Sequence, residues 1–334
     1  MHRSGFVNIV GNPNVGKSTL MNLLVGERIS IATFKAQTTR HRIMGILNTP
    51  EMQICFSDTP GVLKPNYKLQ EQMLQFSESA LQDADVLLYV TDMVETPDKN
   101  AEFLEKVQQL KVPILVLINK IDSLTSNPSP VREGNSKESS NPKGDKQGRK
   151  GNQSPLPNRG GAGGGANAIL ASKVEEWHSI LPQAEIFPIS ALHKFGVDQV
   201  LNRIKELLPE SPAYFDKDAW TDKPARFFVT EIIREKILLY YDKEIPYSVE
   251  AVVESFKEEK DLIRIEAVIY VERESQKGII IGHQGVALKR VSSEARRELE
   301  RFFGKKIYLQ CFVKVDKDWR SSEKAMKQYG YQLE

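Results

Sequence analysis

The chain has 334 residues, of which 40% are hydrophobic and 27% charged, and its net charge is +2 at pH 7. This composition is typical of a folded globular protein of about two domains, and the small net charge by itself indicates no class of partner. No apolar run approaches the roughly 18 residues that a membrane helix needs and no signal peptide is visible, so we do not expect a membrane-spanning or secreted protein.

The first motif along the chain lies between a predicted strand and a predicted helix. Residues 6–10 are apolar, residues 11–18 read G-N-P-N-V-G-K-S, and residues 18–25 have the spacing of an amphipathic helix. This pattern is typical of a loop that holds a nucleoside triphosphate, because its amides and the helix N-terminus converge on phosphate oxygens. The predicted phosphate-binding residues are Gly11, Asn12, Asn14, Val15, Gly16, Lys17, Ser18, Thr19, Asp58 and Gly61.

Three residues are predicted to hold Mg²⁺ beside these phosphates: Ser18, Asp58 and one of the two threonines Thr38 and Thr39, of which we take Thr39. Thr39 belongs to a threonine-rich polar loop at 29–42, and Asp58 ends a predicted strand and begins the sequence D-T-P-G. Lys17 should reach the β- and γ-phosphates, and the Gly61 amide can meet the γ-phosphate. The predicted catalytic residues are therefore Lys17, Thr39 and Gly61.

Residues 119–122 read N-K-I-D and follow a predicted apolar strand at 113–118. A carboxylate at Asp122 can accept hydrogen bonds from N1–H and the 2-amino group of guanine, whereas adenine offers neither donor. Asn119 supplies further polar atoms, the Lys120 stem can cover the base face, and Ser190 with Ala191 suits a backbone contact to the guanine carbonyl. The alternative for residues 119–122 is an ordinary polar strand end.

Strands and helices alternate through residues 1–208. Strands are predicted at 6–10, 43–48, 53–57, 86–90, 113–118 and 184–189, and helices at 18–25, 67–81, 98–110, 169–180 and 197–207. This order predicts a doubly wound, mostly parallel sheet that binds ligands at the carboxyl ends of its strands. With the motifs at 11–18, 58–61 and 119–122 it indicates an α/β P-loop GTPase domain.

Residues 125–168 interrupt this alternation. They are rich in Ser, Asn, Pro and Gly and contain seven Lys/Arg against three Asp/Glu. We expect a disordered basic insertion within the first domain, since almost nothing in it could be buried. The insertion is either a tolerated surface segment or a source of weak, salt-sensitive attraction to nucleic acid.

The second half has a different order of elements. Residues 209–224 are predicted to link the first domain to a second domain at 225–334. Helices are predicted there at 225–239 and 286–303 and strands at 247–256, 262–271 and 307–315, which indicates an α+β domain with a small antiparallel sheet. Cys55 and Cys311 lie in apolar, alternating stretches, which favours buried reduced thiols and a cytosolic compartment.

The sequence G-H-Q-G at 282–285 lies between an apolar, strand-like run at 278–281 and a basic helix. G-x-x-G in such a place matches the RNA-clamping loop of a KH domain, and residues 277–306 carry eight Lys/Arg against three Asp/Glu. A helix-capping turn before a solvated basic helix is the alternative. The predicted RNA-binding residues are Lys277, Ile279, Ile281, Gly282, His283, Gln284, Gly285, Lys289 and Arg290, with the isoleucines at 279–281 as a floor for the bases.

Together these motifs resemble the Era family of ribosome-assembly GTPases over nearly the whole chain. Further matching stretches are Q-T-T-R-H-R at 37–42, E-I-I-R-E-K at 231–236, P-Y-S-V at 246–249 and V-E-R-E at 271–274. The resemblance implies an N-terminal GTPase domain followed by a type II KH domain. It also implies Mg²⁺-dependent GTP hydrolysis coupled to binding of the 3′ end of 16S ribosomal RNA, and a role in maturation of the 30S subunit.

The resemblance further implies a cytoplasmic monomer with some peripheral attachment at the inner face of the cell membrane. Val62 stands where Ras-like enzymes place a water-orienting glutamine, and the family shares this apolar residue. The resemblance suggests that backbone groups near Thr38 and Thr39, and a K⁺ ion held by Asn14, position the water instead. His283 and Gln284 stand where relatives often have a lysine, and a neutral imidazole weakens a phosphate contact.

The resulting hypothesis is a molecular switch whose GTP- and GDP-bound forms differ at residues 31–40 and 58–81 and gate the second domain on RNA. One alternative is a GTPase whose second domain binds protein or lipid. Another is an RNA-binding chaperone with a vestigial nucleotide site, which the complete nucleotide motifs disfavour. A metabolic kinase is also disfavoured, because residues 119–122 select guanine.

Overall fold

The first domain is built on a six-stranded sheet. The structure is a computed structural model that describes residues 2–124 and 162–332, so most of the predicted insertion at 125–168 lies outside the described residues. The strands are β1 (Arg3–Val10), β2 (Ile43–Asn48), β3 (Met52–Asp58), β4 (Val86–Asp92), β5 (Ile114–Asn119) and β6 (Glu185–Pro188). Their spatial order is β2-β3-β1-β4-β5-β6, with β2 antiparallel to β3 and the other described pairs parallel. The predicted doubly wound, mostly parallel sheet is confirmed.

Helices cover both faces of this sheet. They are α1 (Lys17–Val25), α2 (Lys68–Gln82), α3 (Ala101–Gln108), α4 (Ala162–Ile180) and α5 (Val197–Leu207). Ile9 and Leu88 pack towards α1 and α5, and Tyr89 packs towards Trp177 of α4 on the other face. Because both faces are buried, the central strands read as continuous apolar runs. The helix predicted from residue 169 begins at Ala162, so residues 162–168 belong to α4 and not to the insertion.

The second domain packs four described α-helices against a three-stranded sheet. Its elements are α6 (Ala225–Tyr240), β7 (Glu250–Glu258), β8 (Leu262–Val271), α7 (Glu274–Ile281), α8 (Val286–Phe303), β9 (Lys306–Val315) and α9 (Glu323–Gln328). β7 and β8 are antiparallel, but β8 and β9 are parallel. The prediction of an antiparallel sheet is thus wrong for β9, because α7 and α8 carry the chain back across one face before the strand returns.

The apolar run at 278–281 is the second half of α7, so the predicted strand-like conformation is wrong. Gln276 and Ile280, one helical turn apart, are buried, whereas Ile279 between them is 50% exposed. The Gln276 side chain accepts the N–H of Arg273 at 3.1 Å and closes the start of the helix. Periodicity cannot separate helix from strand in so short an apolar run. Ile280 is consequently a core residue and not part of a floor for bases.

Residues 209–224 lie along the β2 edge of the first sheet. The N–H of Ile46 donates to the carbonyl of Trp220 at 3.0 Å, and the Asn48 amide donates to the carbonyl of Ala219 at 2.8 Å. Trp220 then stacks on Phe228 of α6, with ring centroids 5.2 Å apart. The segment that joins the two domains is therefore bonded to the first domain along its course.

Candidate nucleotide and nucleic-acid sites

The phosphate loop, residues 11–18, joins β1 to α1 in a conformation that requires glycine. Gly11 and Gly16 have φ values of 140° and 99°. A Cβ atom at Gly11 would lie 2.1 Å from the carbonyl oxygen of Val90, and one at Gly16 would lie 2.3 Å from the amide nitrogen of Asn119. The loop thus folds tightly against the ends of β4 and β5, as the G-x-x-x-x-G-K-S pattern predicts.

Lys17 is buried inside this loop. Its ammonium donates to the carbonyls of Gly11 at 3.0 Å and Asn12 at 2.8 Å. Burial lowers the pKa of Lys17 to about 8, although the carboxylates of Asp58 and Glu95 oppose that shift. A desolvated cation bonded to two carbonyls inside this loop favours an anionic ligand.

The three predicted Mg²⁺ ligands lie together. Ser18 Oγ donates to Asp58 Oδ2 at 2.6 Å, and Thr39 Oγ1 lies 2.9 Å from Ser18 Oγ and 3.3 Å from Asp58 Oδ2. Asp58 is fully buried, and its Oδ1 atom has no hydrogen-bond partner among the described residues. Burial raises the pKa of Asp58. Two hydroxyls and a carboxylate with an unused buried oxygen fit a hard cation such as Mg²⁺.

Gly61 brings the segment after β3 against the phosphate loop. A Cβ atom at Gly61 would lie 2.7 Å from Pro13, so a side chain would force the two segments apart. The N–H of Val62 donates to the carbonyl of Gly11 at 3.1 Å, and the Val62 side chain is buried. Val62 is therefore packed as a core residue and is not placed to orient a water molecule.

Asn119 is a bridge between three motifs. Its amide nitrogen donates to the carbonyl of Val15 at 2.7 Å, and its amide oxygen accepts the N–H of Ala191 at 2.9 Å. The phosphate loop, the end of β5 and the segment after β6 are thereby fixed to one another.

The other residues predicted to bind guanine lie beside Asn119. Ser190 Oγ donates to the Asp122 carboxylate at 2.5 Å. The Lys120 ammonium donates to the carbonyl of Asn14 at 2.6 Å and to the Asp92 carboxylate at 2.8 Å. The structure therefore assembles at one edge of the sheet a set of residues that lie far apart in the sequence.

A cleft of about 310 Å³ lies between the phosphate loop and residues 32–39 and also touches Gly61 and Lys120. Phe34 lines it and is largely exposed; the sequence carries no signal for this position. Asn12 turns its side chain to the opposite side of the loop, where its amide donates to the buried carboxylate of Glu95. Glu95 is thus a buried acidic residue next to the nucleotide cleft, and none of the sequence motifs indicates it.

The G-x-x-G loop begins and ends on glycines with positive φ, 71° at Gly282 and 77° at Gly285. A Cβ atom at Gly282 would lie 2.6 Å from the Cβ of Ala287, so the loop turns closely onto the start of α8. His283 and Gln284 are exposed at its tip, and Gln284 is left-handed with φ of 50°. The predicted turn is present, and it follows a helix.

A cleft of about 480 Å³ adjoins this loop and is lined by Tyr240, Tyr241, His283, Val286, Ala287 and Arg290. The Arg290 guanidinium lies 4.1 Å from the centre of the Tyr240 ring. Lys289 and Arg290 are exposed, whereas arginines further along α8 pair with glutamates on the same helix. Lys277 lies on α7 with a carboxylate of Glu274 4.0 Å away. Basic charge and aromatic rings thus meet at the G-x-x-G end of the domain.

Comparison with known proteins covers both domains. Residues 6–120 match the family model of the 50S ribosome-binding GTPases, and residues 244–320 match that of the KH domain. GTPase Era of Staphylococcus epidermidis is 37% identical over 332 residues, which cover 99% of this chain and 97% of that protein.

Two solved structures of Era have the same fold. The crystal structure of an Aquifex aeolicus Era variant bound to GDP.AlF4⁻ has a TM-score of 0.82 at 34% identity, over 99% of this chain and 100% of that one. The crystal structure of Era with MgGDPNP and nucleotides 1506–1542 of 16S ribosomal RNA has a TM-score of 0.83 at 34% identity, over 100% of both chains. Since this similarity extends through both domains and the assembled nucleotide site, the chain is a GTPase that belongs to the Era family.

Proposed function

We propose that this GTPase is a molecular switch that binds the 3′ end of 16S ribosomal RNA, acts in maturation of the 30S subunit, and couples RNA binding to its nucleotide. The proposal of RNA binding depends on one observation. The G-x-x-G loop lies beside a tyrosine-lined cleft and the exposed basic side chains of Lys289 and Arg290. Aromatic rings stack on unpaired bases and cations hold the backbone, which is how single strands are recognised. The Era complex with 16S ribosomal RNA supports the same assignment.

For hydrolysis we assign the phosphates to the phosphate loop and Lys17, and the Mg²⁺ to Ser18, Thr39 and Asp58. Mg²⁺ bound there would neutralise charge on the β- and γ-phosphates. The Gly61 amide is assigned to the γ-phosphate, because the absence of a side chain lets it lie against Pro13. Asp122 is assigned to the guanine edge, with Lys120 over the base and Ser190 and Ala191 beside it.

The positioning of the attacking water is assigned to the loop at Thr38 and Thr39 with a K⁺ ion at Asn14. Turnover should then be faster in KCl than in NaCl. Asn14 has φ of 64°, so Asn14→Gly keeps the backbone unstrained and removes the side-chain oxygen. This variant should lose the difference between the two salts, measured as phosphate release at equal ionic strength. Equal rates for the unmodified protein in both salts would exclude the K⁺ ion.

A continuous set of contacts joins the nucleotide cleft to the G-x-x-G loop. These contacts support the proposed coupling between nucleotide and RNA binding. Lys35, which lines the nucleotide cleft, donates to the carbonyl of Tyr241 and pairs with Asp242 at 2.9 Å. The Tyr241 hydroxyl donates to the carbonyl of Ile280 at 2.7 Å, two residues before Gly282. A change in the shape of residues 31–40 would therefore reach the G-x-x-G loop through Tyr241.

The test is binding of a short RNA with the 3′-terminal 16S sequence, in GDP or a non-hydrolysable GTP analogue, across a range of salt concentrations. We expect tighter binding with the analogue and loss of binding in Gly282→Asp with Gly285→Asp. A side chain at Gly282 would contact Ala287, so the glycine variants can also lose stability. A second variant, His283→Asp with Gln284→Asp, avoids this problem because it adds negative charge only at the exposed tip. It should lose binding too, with an unchanged melting temperature.

The outcomes separate the alternatives. Equal affinity for RNA in the presence of GDP and of the GTP analogue would contradict the coupling, but it would leave GTP hydrolysis and RNA binding as separate activities. No binding in either state would favour a protein or lipid partner for the second domain.

On the family resemblance alone, we also propose a cytoplasmic monomer with some peripheral attachment at the inner face of the cell membrane. Within residues 2–124 and 162–332, no helix is both long and apolar enough to cross a bilayer. The Era family resemblance is the support for this part of the proposal.

A further inference from the structure

Two arginines cross the boundary between the domains in opposite directions. Arg40, from the loop before β2, donates to the carbonyls of Val249 at 2.7 Å and Pro246 at 3.2 Å in the second domain. Arg234, from α6 of the second domain, donates to the carbonyl of Thr38 at 2.7 Å in the first domain. The side chains of Arg40 and Arg234 are 1% and 2% exposed, so both guanidinium groups are shielded from water.

The carbonyl that Arg234 holds belongs to the peptide bond between Thr38 and Thr39. That peptide is planar, so holding its oxygen restricts the positions open to the N–H and Cα of Thr39. The same nitrogen of Arg234 lies 3.3 Å from the carbonyl of Gln37, and the other donates to the buried carboxylate of Glu231. Arg234 is thus held on one side by its own helix and on the other by this loop.

The side chain of Thr38 is engaged within the loop. Its hydroxyl donates to the carbonyl of Lys35 at 2.6 Å and lies 2.7 Å from the Thr33 hydroxyl. The Thr39 hydroxyl, one residue further, lies among Ser18 and Asp58 at the Mg²⁺ position. The orientation of Thr39 is therefore set by its peptide plane, whose oxygen is held from the other domain.

We propose that Arg234 of the KH domain is a positioning residue of the GTPase site: by holding the Thr38 carbonyl it places the Thr39 hydroxyl for Mg²⁺ and the γ-phosphate. This inference rests on the proposed function, which assigns Thr39 to the metal. Its consequence is that any displacement of α6 in the second domain alters nucleotide affinity and turnover without direct contact with the nucleotide.

A purely structural role for Arg234 makes a different prediction, and the chain contains a matched control. Arg28 also crosses the boundary and pairs with Glu235 and Glu298, but it is bonded to neither Gln37 nor Thr38 among the described contacts. Loss of Arg28 weakens the interface and leaves the Thr38 carbonyl held. Arg234→Lys keeps a cation for Glu231 but loses the planar fork that reaches the carbonyl.

The experiment compares Arg234→Lys, the double variant Arg234→Met with Glu231→Gln, and Arg28→Met in the full chain. Fluorescent nucleotides give the dissociation constants for GDP and a GTP analogue, and Mg²⁺ is titrated against binding of the analogue. We expect both Arg234 variants to bind the analogue about tenfold more weakly and to need about tenfold more Mg²⁺, which corresponds to one lost hydrogen bond to a charged group. Affinity for GDP should stay within about twofold.

A second readout needs neither nucleotide nor metal. Amide hydrogen exchange in peptides that span residues 37–41 should be faster in the Arg234 variants than in Arg28→Met. Equal loss of GDP and analogue affinity, or the same effect from Arg28→Met, would show that Arg234 only maintains the interface. Unchanged constants in the Arg234 variants would also overturn the proposal.

Thr39→Ala separates this inference from the function on which it rests. A Thr39→Ala variant with an ordinary Mg²⁺ requirement would overturn the metal assignment itself. A raised requirement in Thr39→Ala together with an ordinary one in Arg234→Lys would overturn only the positioning role.

Discussion

Glu95 shows how a single buried group can affect the nucleotide site without lying in the cleft. Its carboxylate accepts hydrogen bonds from Thr91 at 3.0 Å and from Asn12 of the phosphate loop. Burial raises the pKa of Glu95 from 4.5 to about 7, while the Thr91 hydrogen bond and the nearby Lys17 ammonium oppose the shift. The phosphate loop therefore rests on an acid that titrates near neutral pH.

The raised pKa of Glu95 predicts a pH-dependent stability. Between pH 4.5 and about 7 the folded chain retains a proton that the unfolded chain has lost. The contribution of Glu95 to the free energy of unfolding is therefore fully present below pH 4.5 and falls, by up to about 3 kcal/mol, as the pH rises to 7. Glu95→Gln removes the titration, so its melting temperature relative to the unmodified protein should rise by roughly 5–10 °C between pH 5 and pH 8.

The comparison of melting temperatures at the two pH values contains its own control. A constant difference across this range would mean that Glu95 is ionised throughout. Any fixed cost of replacing a carboxylate by an amide cancels, because it is present at both pH values.

At the scale of elements, α7 shows why the exposed and the buried isoleucine next to the G-x-x-G loop are not equivalent. Ile280 packs among the core of the second domain, and Ile279 is half exposed on the other side of the same helical turn. A strand would also have separated Ile279 from Ile280, but it would have placed residues 276, 278 and 280 on one face, and residue 278 is exposed. The helix turns Ile280 inward and leaves Ile279 at the surface.

This arrangement predicts opposite effects for two adjacent substitutions. Ile280→Asp buries a carboxylate without a partner and should destabilise the second domain by more than about 4 kcal/mol. Ile279→Asp should change stability by less than about 1 kcal/mol and weaken RNA binding, since it adds negative charge beside the G-x-x-G loop. Urea denaturation and RNA titration measure the two effects. Similar stability losses in both variants would contradict the burial of Ile280 and the exposure of Ile279.

Elements with a strong local signal could be predicted from the sequence. α5, α8, β8 and the shorter strand β2 have the predicted bounds, and in the first three the apolar spacing persists over ten or more residues. The phosphate loop is equally predictable, since its glycines occupy positions where the backbone has a positive φ. Contacts between distant residues leave no such periodic trace: Arg234 and Thr38 are 196 positions apart. The parallel pairing of β9 and the hydrogen bond between Glu95 and the phosphate loop could not be predicted for the same reason.

On the scale of the whole molecule, the second domain is held by the loop at residues 26–42, part of which lines the candidate nucleotide cleft. Arg28, Lys35 and Arg40 all leave the first domain within one loop and end on second-domain groups. His41 follows and stacks on Tyr331 with ring centroids 4.4 Å apart. Burial lowers the pKa of His41 to about 3, so the ring is uncharged in this dry contact at neutral pH.

The C-terminal segment adds a second attachment to the first domain. Trp319, Tyr329 and Tyr331 pack with Leu69 and Met73 of α2, which follows the Asp58–Gly61 motif along the chain. Both segments predicted to respond to nucleotide therefore contact the second domain, one through buried cations and one through aromatic packing.

The course of residues 209–224 along the β2 edge also determines how strong that interface must be. A connection bonded to the sheet delivers α6 within a short distance of its binding surface, so the second domain is present at a local concentration that two separate proteins would not reach. An association with a millimolar dissociation constant would suffice to keep the domains together. Such a weak contact can be reversed by a few kcal/mol, which is the range that one bound phosphate group or one stretch of RNA can supply.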